Sequence, residues 1–188
     1  SPFRVSFKEA VLVEKYAGGL NNHRSTIYRS ANKHFLPGLC YGKRGEYLDV
    51  QELPPGFMLT NEGFGAHIVG KNVVIVCSYL NSSLGQYFIN LYCGQHKGVG
   101  YVNQLPFPSL NEESFLLLHE NYKSIMDAVG SVQRLCEYDH EFINPVPINF
   151  NGKLDVSSLY VHIKGECEKY FSCLTKNDSL FYDIFSLS

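Results

Sequence analysis

The segment from residue 111 to residue 136 carries the most regular apolar pattern in the chain. Apolar residues recur there at alternating spacings of three and four, which is the period of one face of an α-helix. The stripe consists of Phe115, Leu118, Tyr122, Ile125, Val129, Val132 and Cys136. We therefore predict a long amphipathic helix, roughly 35 to 40 Å in length, with Asn111 as its N-terminal cap.

An apolar stripe of this length must be covered by another element. A second apolar pattern near the end of the chain supplies candidates, namely Leu159, Ile163, Cys167, Tyr170 and Leu174. We favour packing of the two helices on each other within this chain. The alternative is a spacer helix that packs against another domain.

Short runs of β-like composition, separated by Gly and Pro, dominate the first 70 residues. They lie at residues 3–7, 39–41, 47–50, 56–59 and 64–69. These runs predict a small, mostly antiparallel sheet. The polar stretch 18–33 has no apolar period and is interpreted as a loop or a short irregular helix.

Helical spacing then appears in residues 73–80 and again in 84–91, so we predict a helical pair with Asn81-Ser82 as its junction. Residues 98–104 are interpreted as a strand that ends at Pro106 and Pro108. The predicted class is α+β: a small, mostly antiparallel sheet with packed helices, followed by a long amphipathic helix and a helical C-terminal part. We place one domain at residues 1–109 and a helical supporting part at residues 110–188.

The charged residues are distributed unevenly along the chain. Between Lys15 and Gly45 there are six Lys or Arg residues and no Asp or Glu, although the whole chain has a net charge of −2. Residues 110–188 hold twelve acidic residues against six basic ones. This asymmetry points to a phosphate-facing surface in the first quarter of the chain.

The six cysteines occur without a C-x-x-C pair, and several lie in apolar runs. We expect reduced, buried thiols in a cytoplasmic protein. No apolar stretch reaches the roughly 18 residues that a membrane helix needs. The chain starts with Ser1-Pro2-Phe3, which we interpret as the start of a segment cut from a longer protein.

Motifs for catalysis are missing from the sequence. There is no glycine-rich loop at dinucleotide spacing, no Asn/Asp-Pro-Pro-aromatic element, no G-x-S-x-G and no H-x-x-x-H. We therefore expect no catalytic residues, no metal site and no cofactor in this chain, and no methyl transfer by the chain alone.

Six fragments, taken in order, carry a resemblance to a known family. They are Asn32-Lys33-His34-Phe35-Leu36-Pro37-Gly38-Leu39 with Tyr41, Leu53-Pro54-Pro55-Gly56-Phe57-Met58, Cys77-Ser78-Tyr79-Leu80-Asn81-Ser82-Ser83-Leu84, residues 99–108, Glu137-Tyr138-Asp139-His140-Glu141-Phe142, and Leu174-Thr175-Lys176-Asn177-Asp178 with Phe181, Ile184 and Phe185. In this order the chain resembles the C-terminal target-recognition region of N6-adenine DNA methyltransferases. The group in question comprises type II restriction-modification enzymes and the BREX or phage-growth-limitation methylases. The chain departs from the family in having no Trp.

The resemblance implies recognition of double-stranded DNA rather than catalysis. It implies that a methyltransferase domain elsewhere in the same protein binds S-adenosylmethionine and modifies adenine, and it leaves open whether that protein also cleaves DNA. Together with the charge distribution, it nominates a set of DNA-binding residues: His23, Arg24, Arg29, Asn32, Lys33, Lys43 and Arg44. Asn81-Ser82 is interpreted as a structural junction rather than a DNA contact.

Three other interpretations remain open at this point. The chain could be a module of a separate type I specificity subunit, which would carry two such modules. It could be a protein-interaction domain whose long helix docks a partner. The third is an independent nuclease, although the set of carboxylate and lysine residues that such an enzyme requires cannot be recognised in the sequence.

Overall fold

A computed structural model describes residues 33, 35–57, 63–68, 70–135, 142 and 156–187. In these ranges the chain forms three strands, β1 (Gly38–Gly42), β2 (Gln51–Leu53) and β3 (Gly63–Ala66). It also forms five helices: α1 (Lys71–Leu80), α2 (Ser83–Tyr92), α3 (Val99–Val102), α4 (Glu112–Gln133) and α5 (Val156–Ile184). This arrangement confirms the predicted α+β class.

The three strands form one antiparallel sheet with β1 in the centre, in the order β2-β1-β3. Gly38 pairs with Leu53 of β2, and Leu39 pairs with Ala66 of β3. A Cβ atom on Gly38 would lie 2.2 Å from the carbonyl oxygen of Ala66, so glycine is required for this close approach. The predicted strand at 39–41 is confirmed, and the one at 64–69 is observed as β3, which ends at Ala66; residues 3–7 lie outside the described ranges.

The predicted strand at residues 47–50 is wrong. Asp49 has a φ of 48°, which no regular strand contains. The backbone N–H groups of Leu48 and Val50 on either side are bonded to side-chain amides instead of to a neighbouring strand. The strand begins one residue later, at Gln51, and Gly56 of the predicted run 56–59 lies in a turn.

The helical pair is confirmed as α1 and α2. Asn81 ends α1, and Ser82 caps α2 by accepting a hydrogen bond from the N–H of Gly85 at 3.1 Å. The Ser82 hydroxyl also donates to the carbonyl of Tyr79 at 2.6 Å. The dipeptide is therefore a tight helix junction, as predicted.

Residues 98–104 are not a strand. The carbonyl of Gly98 accepts hydrogen bonds from the N–H groups of Tyr101 and Val102, which closes the single turn α3. Pro106 restricts the residue before it and forbids helix beyond that point, but it leaves residues 99–102 free to form a turn. The prolines therefore indicated where the element ends, but not whether it is a strand or a helix.

The long amphipathic helix is confirmed as α4, and the Asn111 side chain caps it by accepting from the N–H of Ser114 at 2.8 Å. Its stripe is buried at Leu118, Tyr122, Ile125 and Val129. Helix α5 covers this stripe and runs antiparallel to α4, because Asn121 bonds Asn177 at 2.9 Å while Ser131 contacts His162 at 3.0 Å. Packing within the chain is thus confirmed.

One member of the predicted stripe on α5 is misplaced, since Cys167 is exposed. The buried positions of that helix are Cys173, Asn177 and Phe181. An α-helix has 3.6 residues per turn, so residues at alternating spacings of three and four do not stay on exactly one face. Over the 29 residues of α5, a stripe predicted from spacing alone therefore moves away from the face that contacts the neighbouring helices.

A single hydrophobic cluster joins the sheet, α1, α2, α4 and α5. The ring of Tyr79 lies near its centre and packs against Phe181 and Phe185, with ring centroids at 5.4 and 5.8 Å. The cluster draws residues from both sides of position 109, and the division of the chain at that position stays a prediction. Of the helices in the described ranges, none has both the length and the apolar content needed to cross a bilayer.

Candidate nucleic-acid interface

Three of the seven predicted DNA-binding residues lie in the described part of the chain. Lys33 is exposed just before β1, and Lys43 and Arg44 follow the end of β1, where Lys43 is half-buried and Arg44 is exposed. The other four, His23, Arg24, Arg29 and Asn32, lie outside the described residues. The described geometry therefore concerns the last part of the basic stretch.

The backbone after β1 pairs with the segment after α2. Arg44 and His96 form an antiparallel bridge, flanked by a bond from the Gly45 N–H to the Gln95 carbonyl at 3.1 Å. A second bond runs from the Lys97 N–H to the Lys43 carbonyl at 2.8 Å. This pairing brings His96 and Lys97 beside Lys43 and Arg44, and we call these four residues the basic cluster.

His96 and Lys97 were missed by sequence reasoning. They stand some fifty residues from Arg44 in the chain, and a bridge between two loops leaves no local pattern. His96 is exposed, so it adds a polar and ionisable side chain to the surface that Arg44 occupies.

Lys97 has a different environment from the other members, since its side chain is fully buried. Its ammonium group donates to the Oδ1 atom of Asn90 on α2. Burying a charged group is unfavourable unless it is hydrogen-bonded, so this bond anchors the loop to α2. Lys97 therefore fixes the position of the cluster, and Arg44 and His96 form its exposed part.

Two acidic residues follow the basic cluster along the chain. Glu46 and Asp49 are exposed and follow Arg44 in the connection between β1 and β2. The run of cationic residues along the chain therefore ends at Arg44 and does not continue through the whole connection.

The same connection is held at its other end by two side-chain amides from the helix junction. Asn81 accepts from the Val50 N–H at 2.9 Å and donates to the Val50 carbonyl at 2.8 Å. Gln86 accepts from the Leu48 N–H at 3.1 Å and donates to the Leu80 carbonyl at 2.7 Å. Leu48 and Val50 are both fully buried. The loop that carries Arg44 is thus anchored at both ends.

The side chains of Tyr122, Glu52 and Cys77 form a separate polar group, in which Tyr122 and Cys77 are buried in the core. The hydroxyl of Tyr122 donates to the Oε1 atom of Glu52, and the thiol of Cys77 contacts the Val50 carbonyl at 3.7 Å. Burial raises the pKa of Tyr122 and the pKa of Cys77 well above their usual values. Both groups stay protonated at neutral pH, which makes them poor nucleophiles.

One open cleft of about 390 Å³ lies between the start of α1 and the start of α4. Its lining includes Asn72, Ile75, Phe107, Asn111, Glu112 and Phe115. It contains one ionisable side chain, Glu112, which gives it no acid-base pair. Across the described ranges, no group of three His, Cys, Asp or Glu side chains is placed to hold a metal ion.

The basic cluster is therefore the described surface with the clearest chemical preference, because it offers cationic and hydrogen-bonding side chains on a fixed backbone. Comparison with known proteins adds no assignment: no family model matches the chain, and no curated protein sequence matches it.

Proposed function

We propose that this chain is the DNA-recognition segment of an adenine-N6 DNA methyltransferase of a restriction-modification or phage-defence system. The observation that carries the proposal is the Arg44–His96 bridge, because it adds two residues of a distant loop to the end of the basic stretch. The segment would position duplex DNA for a catalytic domain that lies outside it.

Phosphate contacts fix the register of a protein on DNA, and a few side chains that reach base edges supply the specificity. Arginine reads guanine through two parallel hydrogen bonds, and such a contact requires a well-fixed backbone. The loop of Arg44 meets this requirement, since the bridge holds one end and the amides of Asn81 and Gln86 hold the other.

The assignment to adenine methylation rests on the resemblance of the six fragments, and S-adenosylmethionine belongs to the catalytic domain in this proposal. A type I specificity subunit would use the same DNA contacts, but it would carry two recognition modules and no catalytic domain in its own chain. Reading the complete gene around this segment separates the two cases. A glycine-rich cofactor motif and an Asn-Pro-Pro-aromatic element in the same open reading frame would support the methyltransferase.

A second candidate function is docking of a partner helix, and one observation favours it. Val156, Tyr160 and Phe171 of α5 are apolar and mostly exposed, at 64%, 65% and 62%. An apolar docking surface binds with little dependence on salt, whereas DNA binding releases counterions and weakens as salt rises.

Fluorescence anisotropy of a labelled duplex, titrated with the purified chain at several potassium chloride concentrations, tests the proposal. We expect saturable binding whose logarithm of affinity falls linearly with the logarithm of salt concentration. Heparin, a polyanion without bases, serves as competitor and separates backbone binding from base recognition. Absence of duplex binding at low salt would contradict the proposal.

A further inference from the structure

A row of side chains runs along the outer face of α5. Its members are spaced by three or four residues, so they lie within an arc of about 80° on the helix surface. We call these seven residues the outer row: Tyr160, Lys164, Cys167, Phe171, Thr175, Asp178 and Tyr182. The buried positions Cys173, Asn177 and Phe181 lie about 120° away, on the side where Asn177 bonds α4.

The outer row is exposed although it contains three aromatic rings. Tyr160 and Phe171 are mostly exposed, and Tyr182 is more than one third exposed. Lys164, Cys167 and Thr175 are exposed as well, and Asp178 is half-buried. Large apolar side chains that are exposed together on one face are typical of an interaction surface.

The order of residues in the outer row is symmetric about Phe171. Each residue on one side of Phe171 has a counterpart at the same distance on the other side. The pairs lie eleven, seven and four residues from Phe171, and they are Tyr160 and Tyr182, Lys164 and Asp178, and Cys167 and Thr175. The outer pair is aromatic on both sides, the middle pair combines opposite charges, and the inner pair is small on both sides.

This symmetry fits a second copy of the same helix in the antiparallel direction. Tyr160 of one copy then faces Tyr182 of the other, and the two Phe171 rings meet on the twofold axis. A twofold interface must be self-complementary in this way, because the same surface contributes both sides. A parallel pair in register would instead place Lys164 opposite Lys164 and Asp178 opposite Asp178. Repulsion between like charges therefore selects the antiparallel direction.

The two charged members of the outer row are able to pair between copies. Asp178 accepts a hydrogen bond from the Ser83 N–H of α2 at 2.8 Å. A carboxylate has about four lone-pair sites, so Asp178 can accept from Lys164 of a second copy at the same time. Lys164 lies 3.8 Å from Glu168 in an exposed pair within α5. Such exposed pairs contribute little to stability, so this one does not prevent a contact with a second copy.

Further apolar residues lie at matching ends of the outer row. Val156 and Val161 are mostly exposed beside Tyr160. At the other end, the Tyr182 hydroxyl lies 3.5 Å from the Ser83 hydroxyl, and the mostly exposed Tyr87 follows Ser83 by one turn of α2. In the antiparallel pair, the valines of one copy and Tyr87 of the other therefore come to the same end.

We propose that the chain forms a twofold-symmetric dimer through the outer rows of two antiparallel α5 helices. The contact is about 33 Å long and about 10 Å wide, since the row spans residues 160–182. This footprint is smaller than that of a standard interface, so the dimer is reversible, with a dissociation constant on the order of 10 µM. The inference assigns one occupant to the exposed face of α5 and does not depend on DNA recognition.

Sedimentation velocity of the full chain, from well below to well above this concentration, tests the dimer. We expect the wild type to change from monomer to dimer. Phe171→Glu and Phe171→Lys each place two like charges on the axis, so each should weaken the dimer at least about tenfold. An equimolar mixture of the two variants places opposite charges there and should restore dimerisation. Tyr101→Glu on α3 is the control, because Tyr101 is exposed outside the outer row; it should dimerise like the wild type.

Cross-linking tests the antiparallel direction. In that arrangement Cys167 of one copy faces position 175 of the other, so Thr175→Cys should give a disulfide-linked dimer when oxidised glutathione is added. The two Cys167 residues of a wild-type dimer lie eight positions apart along the pair, at least about 12 Å, which is too far for a disulfide. The wild type and the double variant with Cys167→Ala and Thr175→Cys should therefore stay uncross-linked. In dilute protein, where the monomer dominates, Cys167 remains exposed.

Each outcome supports or overturns the dimer. A wild type that stays monomeric at the highest concentration contradicts it, and so does a dimer that persists in both variants of Phe171. If the mixture fails to restore dimerisation, the two copies do not meet at residue 171. A disulfide between two Cys167 residues in the wild type would show a parallel pair. Equal melting temperatures show that the variants are folded, and no DNA enters these measurements, so their failure leaves the proposed DNA recognition untouched.

Discussion

The side-chain amide of Asn81 pairs with both backbone groups of Val50, at 2.9 Å to its N–H and 2.8 Å to its carbonyl. An adjacent strand would make the same two bonds. Asn81 therefore takes the place of a strand at a point where the positive φ of Asp49 interrupts regular pairing. In doing so it ties the connection that carries Arg44 to the junction between α1 and α2.

This pairing predicts that Asn81→Asp destabilises the fold. A carboxylate still accepts from the Val50 N–H, but it cannot donate to the Val50 carbonyl, and two oxygens then face each other. We expect a loss of about 1 to 3 kcal/mol in the free energy of unfolding, measured by urea denaturation.

Asn111→Asp is the matched control for that substitution. The Asn111 side chain accepts only from the Ser114 N–H at the start of α4, where Asp caps as well as Asn does. Its stability should therefore equal or slightly exceed that of the wild type. Equal effects of the two substitutions would show that the second bond of Asn81 contributes nothing.

Replacing two helical glycines, Gly85 and Gly165, with alanine should change the free energy of unfolding in opposite directions. A Cβ on Gly85 would lie 2.1 Å from the Tyr79 carbonyl oxygen, whereas a Cβ on Gly165 meets no atom within 4 Å. We expect Gly85→Ala to lower the free energy of unfolding by about 1 to 3 kcal/mol, because α1 and α2 must move apart. Gly165→Ala should raise it by about 0.5 to 1 kcal/mol through helix propensity. Thermal denaturation of both variants checks the pair, and a neutral Gly85→Ala would mean that the junction is loose.

Much of the fold could be predicted from the sequence, because the strongest signals are local. The stripe of α4, the cap at Asn111 and the junction at Asn81-Ser82 each lie within a few residues of the elements they define. The strand predicted at 47–50 failed for a reason that no local pattern contains. Its hydrogen-bond partners are side chains more than thirty residues away.

The candidate site could be predicted only in part. Lys43 and Arg44 could be predicted because the distribution of charged residues is visible in the sequence, and the stretch from Lys15 to Gly45 has no acidic residue. His96 and Lys97 join them through a two-residue bridge between loops, and nothing in either loop specifies the other.

The thiols give a direct test of burial. Cys167 is exposed, whereas Cys77 and Cys173 are 0% and 6% exposed. In native protein we expect Cys167 to react rapidly with a thiol reagent and the two buried cysteines to stay protected. Under denaturing, non-reducing conditions all six cysteines should titrate as free thiols, and a lower number in fresh protein would contradict the expectation of reduced cysteines.

Stability should fall at alkaline pH. Burial raises the pKa of Cys40 from 9.0 to about 11, so the folded state holds the neutral thiol while the unfolded state ionises. Its contribution to the free energy of unfolding is fully present below pH 9 and is lost as the pH rises towards 11. Cys40→Ala should make the decline in this range shallower. Cys167→Ala, at an exposed position, should leave the decline unchanged; if both variants behave alike, Cys40 is not the cause.

The salt dependence of duplex binding by single alanine variants tests the proposed DNA-binding residues of the basic stretch most directly. The set comprises Arg24, Arg29, Lys33, Lys43 and Arg44, with Lys164, Lys169 and Lys176 of α5 as controls. We expect Arg44→Ala to reduce the salt slope by about one unit if the residue touches phosphate, or to cost about 1 to 3 kcal/mol at one base position if it reads a base. Lys176→Ala should leave both the slope and the affinity unchanged. If the variants of α5 weaken binding as much as Arg44→Ala does, the cationic stretch is ordinary solvated surface and the proposed interface is wrong.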